Sequence, residues 1–370
     1  MIKILVYVAI ILTVLAIGYL VRVFELASSL KGKKQEEITE KDNRLQSRLM
    51  LIFLFVFFAF AIWNLKNFIP RMLPIAASEH GVTIDWLFNF NMAIIFFVFA
   101  ITHIALFYFA YKYYGRKGNV ATFLAHDNKL EMIWTVIPAI VLAVIIIFGL
   151  KSWNKITDVA NPDSMVVEMY AKQFDWTARY SGADNKLGES NYKLITSTND
   201  LGMDSTSAEG QDDIIVKNEI HLPVGKEVEF KFRSRDVIHS AFFPHFRAQM
   251  NVVPGMTTMF HFTPTITTAE MRKNPEVIEQ YRAINTVRAK RKGIIGNGHN
   301  DFKPGDDKPV EFDYILLCNK ICGNSHYNMQ MTVVIDTEED YKKWIAKQKP
   351  YYAKATAPVV EAKPVAEVKN

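Results

Sequence analysis

The chain holds two cysteines, separated by three residues in YILLCNKICGNSHYNMQM (residues 314–331), with His326 and Met329 close behind them. As a disulfide, Cys318 and Cys322 would close a loop of about five residues, which constrains the unfolded chain little and demands awkward geometry. A structural zinc site wants four Cys or His ligands, usually with a tighter C-x-x-C pair. Thiolates joined by imidazole and thioether are soft donors and select copper. One Cys with a His and a Met is the ligand set of a mononuclear copper site. A second Cys adds a second bridging sulfur, so that two copper ions can share both thiolates. That arrangement requires another His from elsewhere in the chain.

The candidates are His221, His239, His245, His261 and His299. A copper site in a small β-sandwich is clasped between strand ends at one pole. In SRDVIHSAFFP, His239 follows a strand and precedes a Pro-bounded turn, where a side chain can point to that pole, and it fits best. His221 and His261 fall inside alternating strands, and His299 lies in a loop full of Gly and Asn. The strands themselves are read from period-two patterns in DSMVVEMYAKQFDWTARY, EIHLPVGKEVEFKFRSRDVIHSAFF and TTMFHFTPT, separated by Gly, Pro and Asp turns. Residues 310–318 lead into the cysteines as a strand and 329–337 lead out as another. Two polar stretches interrupt this all-β region. Residues 181–213 read as a surface loop. Residues 269–309 begin as an amphipathic helix with a basic run, RAKRKG, and end in a Gly/Asp loop. The basic run reads as a solvated helix end or as a contact for an acidic partner or anionic lipid. The Ala/Pro/Lys-rich tail, 348–370, reads as disordered.

The chain is 50% hydrophobic and carries 26 Phe, more apolar than a water-soluble domain of 370 residues needs. Four apolar runs, 4–21, 50–65, 86–111 and 132–150, are long enough to span a membrane or nearly so. The loop between the first two holds seven Lys or Arg. By the positive-inside rule that loop and the one between runs three and four are cytoplasmic, and both chain ends lie outside. Reading run one as a cleaved signal peptide would leave three spans and carry the β region into the cytoplasm. Four spans are therefore expected, with two additional helices in 1–82, a helical hairpin in 83–153 and an external domain in 154–347. No nucleic-acid partner is expected.

Several blocks between residues 86 and 345 together resemble one family, subunit II of the cytochrome c oxidases. KLEMIWTVIPAIVLAVII is similar to the start of the second helix of that family's hairpin, AKQFDW to its aromatic stretch, and DVIHSAFFPHFRAQMNVVPGM to its first-histidine block. CNKICGNSHYNM fits its C-x-E-x-C-G-x-x-H-x-x-M loop except at one position. The resemblance implies a cupredoxin-like sandwich carrying the dinuclear copper centre known as CuA. Its ligands would be His239, Cys318, Cys322, His326, Met329 and the backbone carbonyl of Lys320. It implies electron uptake from cytochrome c, or from a c-type haem subunit of a respiratory complex, and delivery to a haem-bearing subunit I, where oxygen is reduced with proton translocation. Subunits I and III would be partners, in a bacterial inner membrane with the C-terminal domain periplasmic.

Three positions depart from the family pattern. Lys320 stands where the family has a Glu that helps bind magnesium, and an ammonium has no lone pair to offer a metal. Phe174 replaces the Trp that serves as the surface contact for electron uptake, with Trp176 two residues on and on the same strand face. Asn251 stands where an Asp is usual. Glu131 matches the family's Glu near the cytoplasmic mouth of a proton path. No C-x-x-C-H occurs, so electrons are expected from another chain. Two other classes remain for comparison. A nitrous-oxide reductase would need a large catalytic domain and no helical hairpin, and a quinol-oxidase subunit of the same fold would lack the copper ligands.

Overall fold

A computed structural model describes residues 2–30, 38–295 and 309–352, with side chains for 8–30, 38–289 and 309–352. Four long helices come first: α1 (Ile2–Leu30), α2 (Glu40–Phe68), α3 (Glu79–Lys112) and α4 (Asn128–Thr157). All four are long and apolar enough to cross a membrane. They extend well beyond the apolar runs because polar turns can continue a helix once its first hydrogen bonds are formed. Asp42 shows how α2 starts: the Thr39 side chain accepts from its backbone N–H while the Asp42 carboxylate accepts from the backbone N–H of Thr39.

The chain divides into two compact units, 1–72 with 92–135 and 73–91 with 136–370. The first unit holds the packing between α2 and α3. There Phe53 and Phe107 have ring centroids 5.3 Å apart, and the His103 ring lies 4.0 Å from Phe99 and 5.6 Å from Phe57.

Among its described residues the second unit holds ten strands: β1 (Met165–Lys172), β2 (Asp175–Tyr180), β3 (Ile214–Lys217), β4 (Glu219–Pro223), β5 (Val228–Ser234), β6 (His239–Phe243), β7 (Ala248–Val252), β8 (Thr258–Phe262), β9 (Tyr314–Cys318) and β10 (Gln330–Asp336). They form two five-stranded sheets, ordered β3-β2-β1-β5-β8 and β4-β10-β9-β6-β7. The pairs β1/β5 and β4/β10 are parallel; the others are antiparallel. Their inner faces meet over Phe230, Phe232, Phe243, Phe246, Phe260 and Phe262, all at most 2% exposed, with neighbouring ring centroids 4.8–6.4 Å apart. Burying each such ring stabilises by about 1.5–3 kcal/mol. The alternation in β9 and β10 is regular, with Tyr314, Leu316 and Cys318 inward and Met331, Val333 and Ile335 inward. The expected sandwich of period-two strands is therefore present.

Residues 73–91 are stitched to this domain. Ala77 N–H donates to His245 O (2.7 Å), Thr265 N–H to Ala77 O (2.9 Å), and Arg247 pairs with both Asp85 oxygens at 2.7 and 2.9 Å.

The polar inserts carry more order than their composition suggests. In 181–213, Leu201 and Met203 pack against Tyr170, and Asp213 is fully buried. The second insert is two helices, α5 (Thr268–Met271) and α6 (Pro275–Ile295), rather than one. Pro275 restricts the residue before it and so separates them. Part of the basic run falls where side chains are not described, and 296–308 lie outside the described residues. A further helix, α7 (Glu338–Ile345), follows β10, and after it Tyr351 N–H donates to Asp213 O at 2.8 Å. The expected disordered tail falls mostly on 353–370, outside the described residues.

Candidate metal centre

Three strand ends build the site. Cys318 is the last residue of β9, His239 the first of β6, and Met329 immediately precedes β10. Their positions are fixed by backbone bonds: Cys318 N–H donates to Met329 O (3.0 Å) and Asn319 N–H to Ser240 O (2.9 Å). The loop from 319 to 328 is wound by short turns, His326 N–H to Gly323 O (3.2 Å), Asn328 N–H to Ser325 O (3.0 Å) and Met329 N–H to His326 O (3.2 Å).

Cys318 Sγ and Cys322 Sγ lie 3.8 Å apart, far beyond the roughly 2.05 Å of a disulfide, and both thiols are free. His239 Nδ1 is 3.8 Å from Cys318 Sγ and His326 Nδ1 is 3.5 Å from Cys322 Sγ. Met329 Sδ is 3.7 Å from Cys322 Sγ, and Lys320 O is 3.2 Å from Cys318 Sγ. Two sulfurs are thus flanked by one imidazole nitrogen each, with a thioether and a carbonyl as further donors. This soft, nitrogen-capped donor set fits copper. His239, Met329 and both cysteines are buried, and His326 is half-buried. The structure brings together all six positions that the sequence nominated.

The electrostatics distinguish the two thiols. Burial alone would raise Cys318, but hydrogen bonding with His239 and with the backbone at Ser240 and Lys320 brings it down to about 6. Burial and the neighbouring Cys318 thiolate push Cys322 up to about 11. Burial opposes a charge on His239, yet its contacts with Cys318 and Asp236 hold its pKa above the ordinary value.

Two residues escaped the sequence reading. Asp236 Oδ1 lies 2.9 Å from His239 Nε2. An N–H there donates to the carboxylate and leaves Nδ1 as the ligand nitrogen, which also fixes the ring. Gln173 Nε2 donates to Cys322 O at 2.5 Å. The carboxylate three places before His239 was a readable signal. Nothing local announces Gln173, which reaches its partner across 149 residues of sequence.

The positions named for electron uptake need a correction. Trp176 is 0% exposed, with its ring centroid 6.2 Å from that of His239, so it is no surface contact. In β2 it pairs with Ala171 and points into the core. Phe174 is not on that strand. It sits half-buried in the turn between β1 and β2, against the cysteine loop. A Cβ built on Gly323 would fall 2.8 Å from the Phe174 ring, and Gly323 has φ +140°. Glycine is required there on both counts.

The remaining histidines have other partners. His221 Nδ1 is 2.6 Å from Asp336 and its ring stacks on Trp344 at 4.3 Å; His261 Nδ1 is 2.7 Å from Glu227. His245 lies among Phe312 and Tyr314, where burial lowers its pKa to about 4. His299 lies outside the described residues. Lys320 has an exposed side chain with no ion pair among the described residues. Glu131 is in the first turn of α4, 3.7 Å from His126 Nδ1, and Asn251 lies on β7 opposite Ser240.

The family described as "Cytochrome C oxidase subunit II, transmembrane domain" matches residues 67–152. The alternative cytochrome c oxidase subunit 2 of Bradyrhizobium diazoefficiens is 29% identical over 269 residues, covering 72% of this chain and 81% of that protein. The cytochrome c oxidase subunit 2 of Thermostichus vulcanus is 24% identical over 315 residues, covering 78% and 81%. Among solved structures, the periplasmic domain of subunit II of the cytochrome oxidase of Bradyrhizobium japonicum aligns at 15% identity and TM-score 0.29, covering 51% of this chain and 95% of that one. A haem-copper terminal oxidase dimer aligns at 13% identity and TM-score 0.30, covering 56% and 99%. A hairpin matching the family's transmembrane domain precedes a sandwich that presents the Cys–His–Met loop, and over most of its length the chain is similar to cytochrome c oxidase subunit 2 proteins.

Proposed function

We propose that this subunit accepts electrons from a c-type haem donor at a dinuclear copper centre and passes them to a haem-bearing subunit I for oxygen reduction. One observation carries the reading: two buried sulfurs 3.8 Å apart, each beside its own imidazole nitrogen. Cys318, Cys322, His239, His326, Met329 and the Lys320 carbonyl would hold the copper. When bound, the dinuclear centre supplies a one-electron store.

The protein's part is to hold the donors still. Strand ends fix Cys318 and His239, Asp236 orients the imidazole, and Gln173 pins the Cys322 carbonyl. Ligands held this way move little when the charge changes. Position 320 contributes a carbonyl and no carboxylate, so it lends nothing to a magnesium site. Glu131, by the same family likeness, would serve the mouth of a proton path. The basic first loop supports a cytoplasmic side for it, and hence a periplasmic β domain in a bacterial inner membrane.

Metal analysis with a spin-resonance spectrum of the purified chain tests the core of this reading. About two coppers per chain sharing one unpaired electron is the expected result. A ratio near one with a mononuclear spectrum would sink it.

The position of Phe174 gives a second test. Its ring touches the cysteine loop at the surface, whereas Trp176 is enclosed. Phe174→Ala should slow reduction of the copper by the donor at unchanged copper content. Trp176→Phe should leave that rate intact. Equal rates in wild type and Phe174→Ala would move the donor contact elsewhere.

A further inference from the structure

Away from the metal centre, the outer face of the β3-β2-β1-β5-β8 sheet carries a row of charge. Register places Arg179 on β2, Glu168 on β1 and Lys231 on β5 side by side, with Tyr170 and Arg233 in the next paired row. An outer sheet face is ordinarily wet, yet Arg179 and Glu168 side chains are only 1% and 5% exposed. The first insert covers them, and its closest approach puts Gly188 against Gly210, where a Cβ on Gly188 would lie 2.2 Å from the Gly210 Cα. Between this roof and the sheet is a cavity of about 390 Å³.

Its walls are rich in donors. Arg179, Lys186, Lys231 and Arg233 line it against two carboxylates, Glu168 and Glu189. Glu168 is already engaged, taking Nη1 of Arg179 at 3.4 Å and both Nε and Nη2 of Arg233. Asp213 holds Arg179 from outside the cavity wall. Among the described residues no carboxylate pairs with Lys186 or Lys231, and Nη1 of Arg233 has no partner. The Arg233 guanidinium is further fixed over the Tyr170 ring at 5.2 Å. Lys186 on the insert and Lys231 and Arg233 on β5 thus line one side of an open cavity, with the strand holding two of the three cations in place before anything binds.

We infer that this cavity is a binding site for a phosphate-bearing anion. The pattern favours a tetrahedral multi-acceptor group, which can accept from three directions at once, over a flat carboxylate. The phosphate can belong to a free ester or to a phospholipid headgroup. This inference does not depend on the copper reading.

Calorimetric titration of the detergent-solubilised full chain with glycerol phosphate is the test, alongside co-sedimentation with phosphatidylglycerol vesicles against neutral phosphatidylcholine vesicles. Lys186→Gln/Lys231→Gln is the variant of choice, since no ion pair among the described residues is lost in the fold. Saturable binding of glycerol phosphate, weakened about tenfold or more in that double variant and unchanged in the surface control Lys193→Gln, is expected for a free ester. A silent titration, with phosphatidylglycerol binding that the double variant weakens, assigns the site to a headgroup. Binding that the double variant leaves unaltered, or no binding in either arm, overturns the inference.

Discussion

Replacing Cys318 by serine is expected to abolish the two-copper spectrum and lower electron uptake from the donor by at least about a hundredfold. Cys318 is the thiol brought down to about 6, so near neutral pH it is the standing thiolate of the site. The thiolate, not the thiol, is the metal ligand. A serine hydroxyl stays protonated and is a hard donor. It cannot share a metal with Cys322 across the 3.8 Å that separates the two sulfurs. His239 would also lose the partner that, together with Asp236, keeps its pKa raised. The control is His221→Ala, whose imidazole is occupied by Asp336 and Trp344 and which should retain full copper. Atomic absorption and spin resonance on the same samples decide the matter. A Cys318→Ser protein with full copper and an unaltered spectrum would remove Cys318 from the ligand set.

Asp213→Asn should cost about 3–5 kcal/mol of stability, because it leaves a buried guanidinium short of its counter-charge. Asp213 accepts from Arg179 Nε at 3.0 Å, from Arg179 Nη2, and from the Gly188 backbone N–H at 3.1 Å. Arg179 and Asp213 side chains are 1% and 0% exposed, so water cannot take over. Burial holds the Asp213 carboxyl above its ordinary pKa in spite of Arg179, so the pair does not fully offset the desolvation of the carboxylate. Glu168, 3.4 Å from Arg179, will soften the loss and favours the lower end of the range. In urea, with a slope of about 1–3 kcal/mol per molar, the midpoint of unfolding should fall by more than about 1 M. Pairing Asp213→Leu with Arg179→Met should recover part of the loss, since the uncompensated charge is then gone. A loss under about 1 kcal/mol for Asp213→Asn alone would mean that the pair is not sealed from solvent.

Sequence by itself determined the parts of this protein that depend on neighbouring residues. Four apolar runs could only be long helices, and period-two alternation specified β9 and β10 as strands with one buried face. Cys318, Lys320, Cys322, His326 and Met329 could be found because one loop presents them, and a loop of twelve residues has few ways to point five donors. His239 was readable because it follows a strand and precedes a Pro-bounded turn.

What alternation encodes is parity, and parity says nothing about what lies over either face. Trp176, Ala178 and Tyr180 share the inner face of β2, but Thr177 and Arg179 on the other face are 1% exposed as well. Only the folded insert, closing over that face from residues 185–213, converts a charged outer row into a buried network with a cavity beside it. Parity also fails at a strand's end. Phe174 reads as sharing a face with Trp176, yet it lies in the turn, outside the pleat, and packs on Gly323 while Trp176 enters the core. Gln173 found its partner, the Cys322 carbonyl, in the same way, when two sheets brought strand ends and turns to one pole. Contacts across such a sequence separation carry no local signal, and tertiary structure alone decided them.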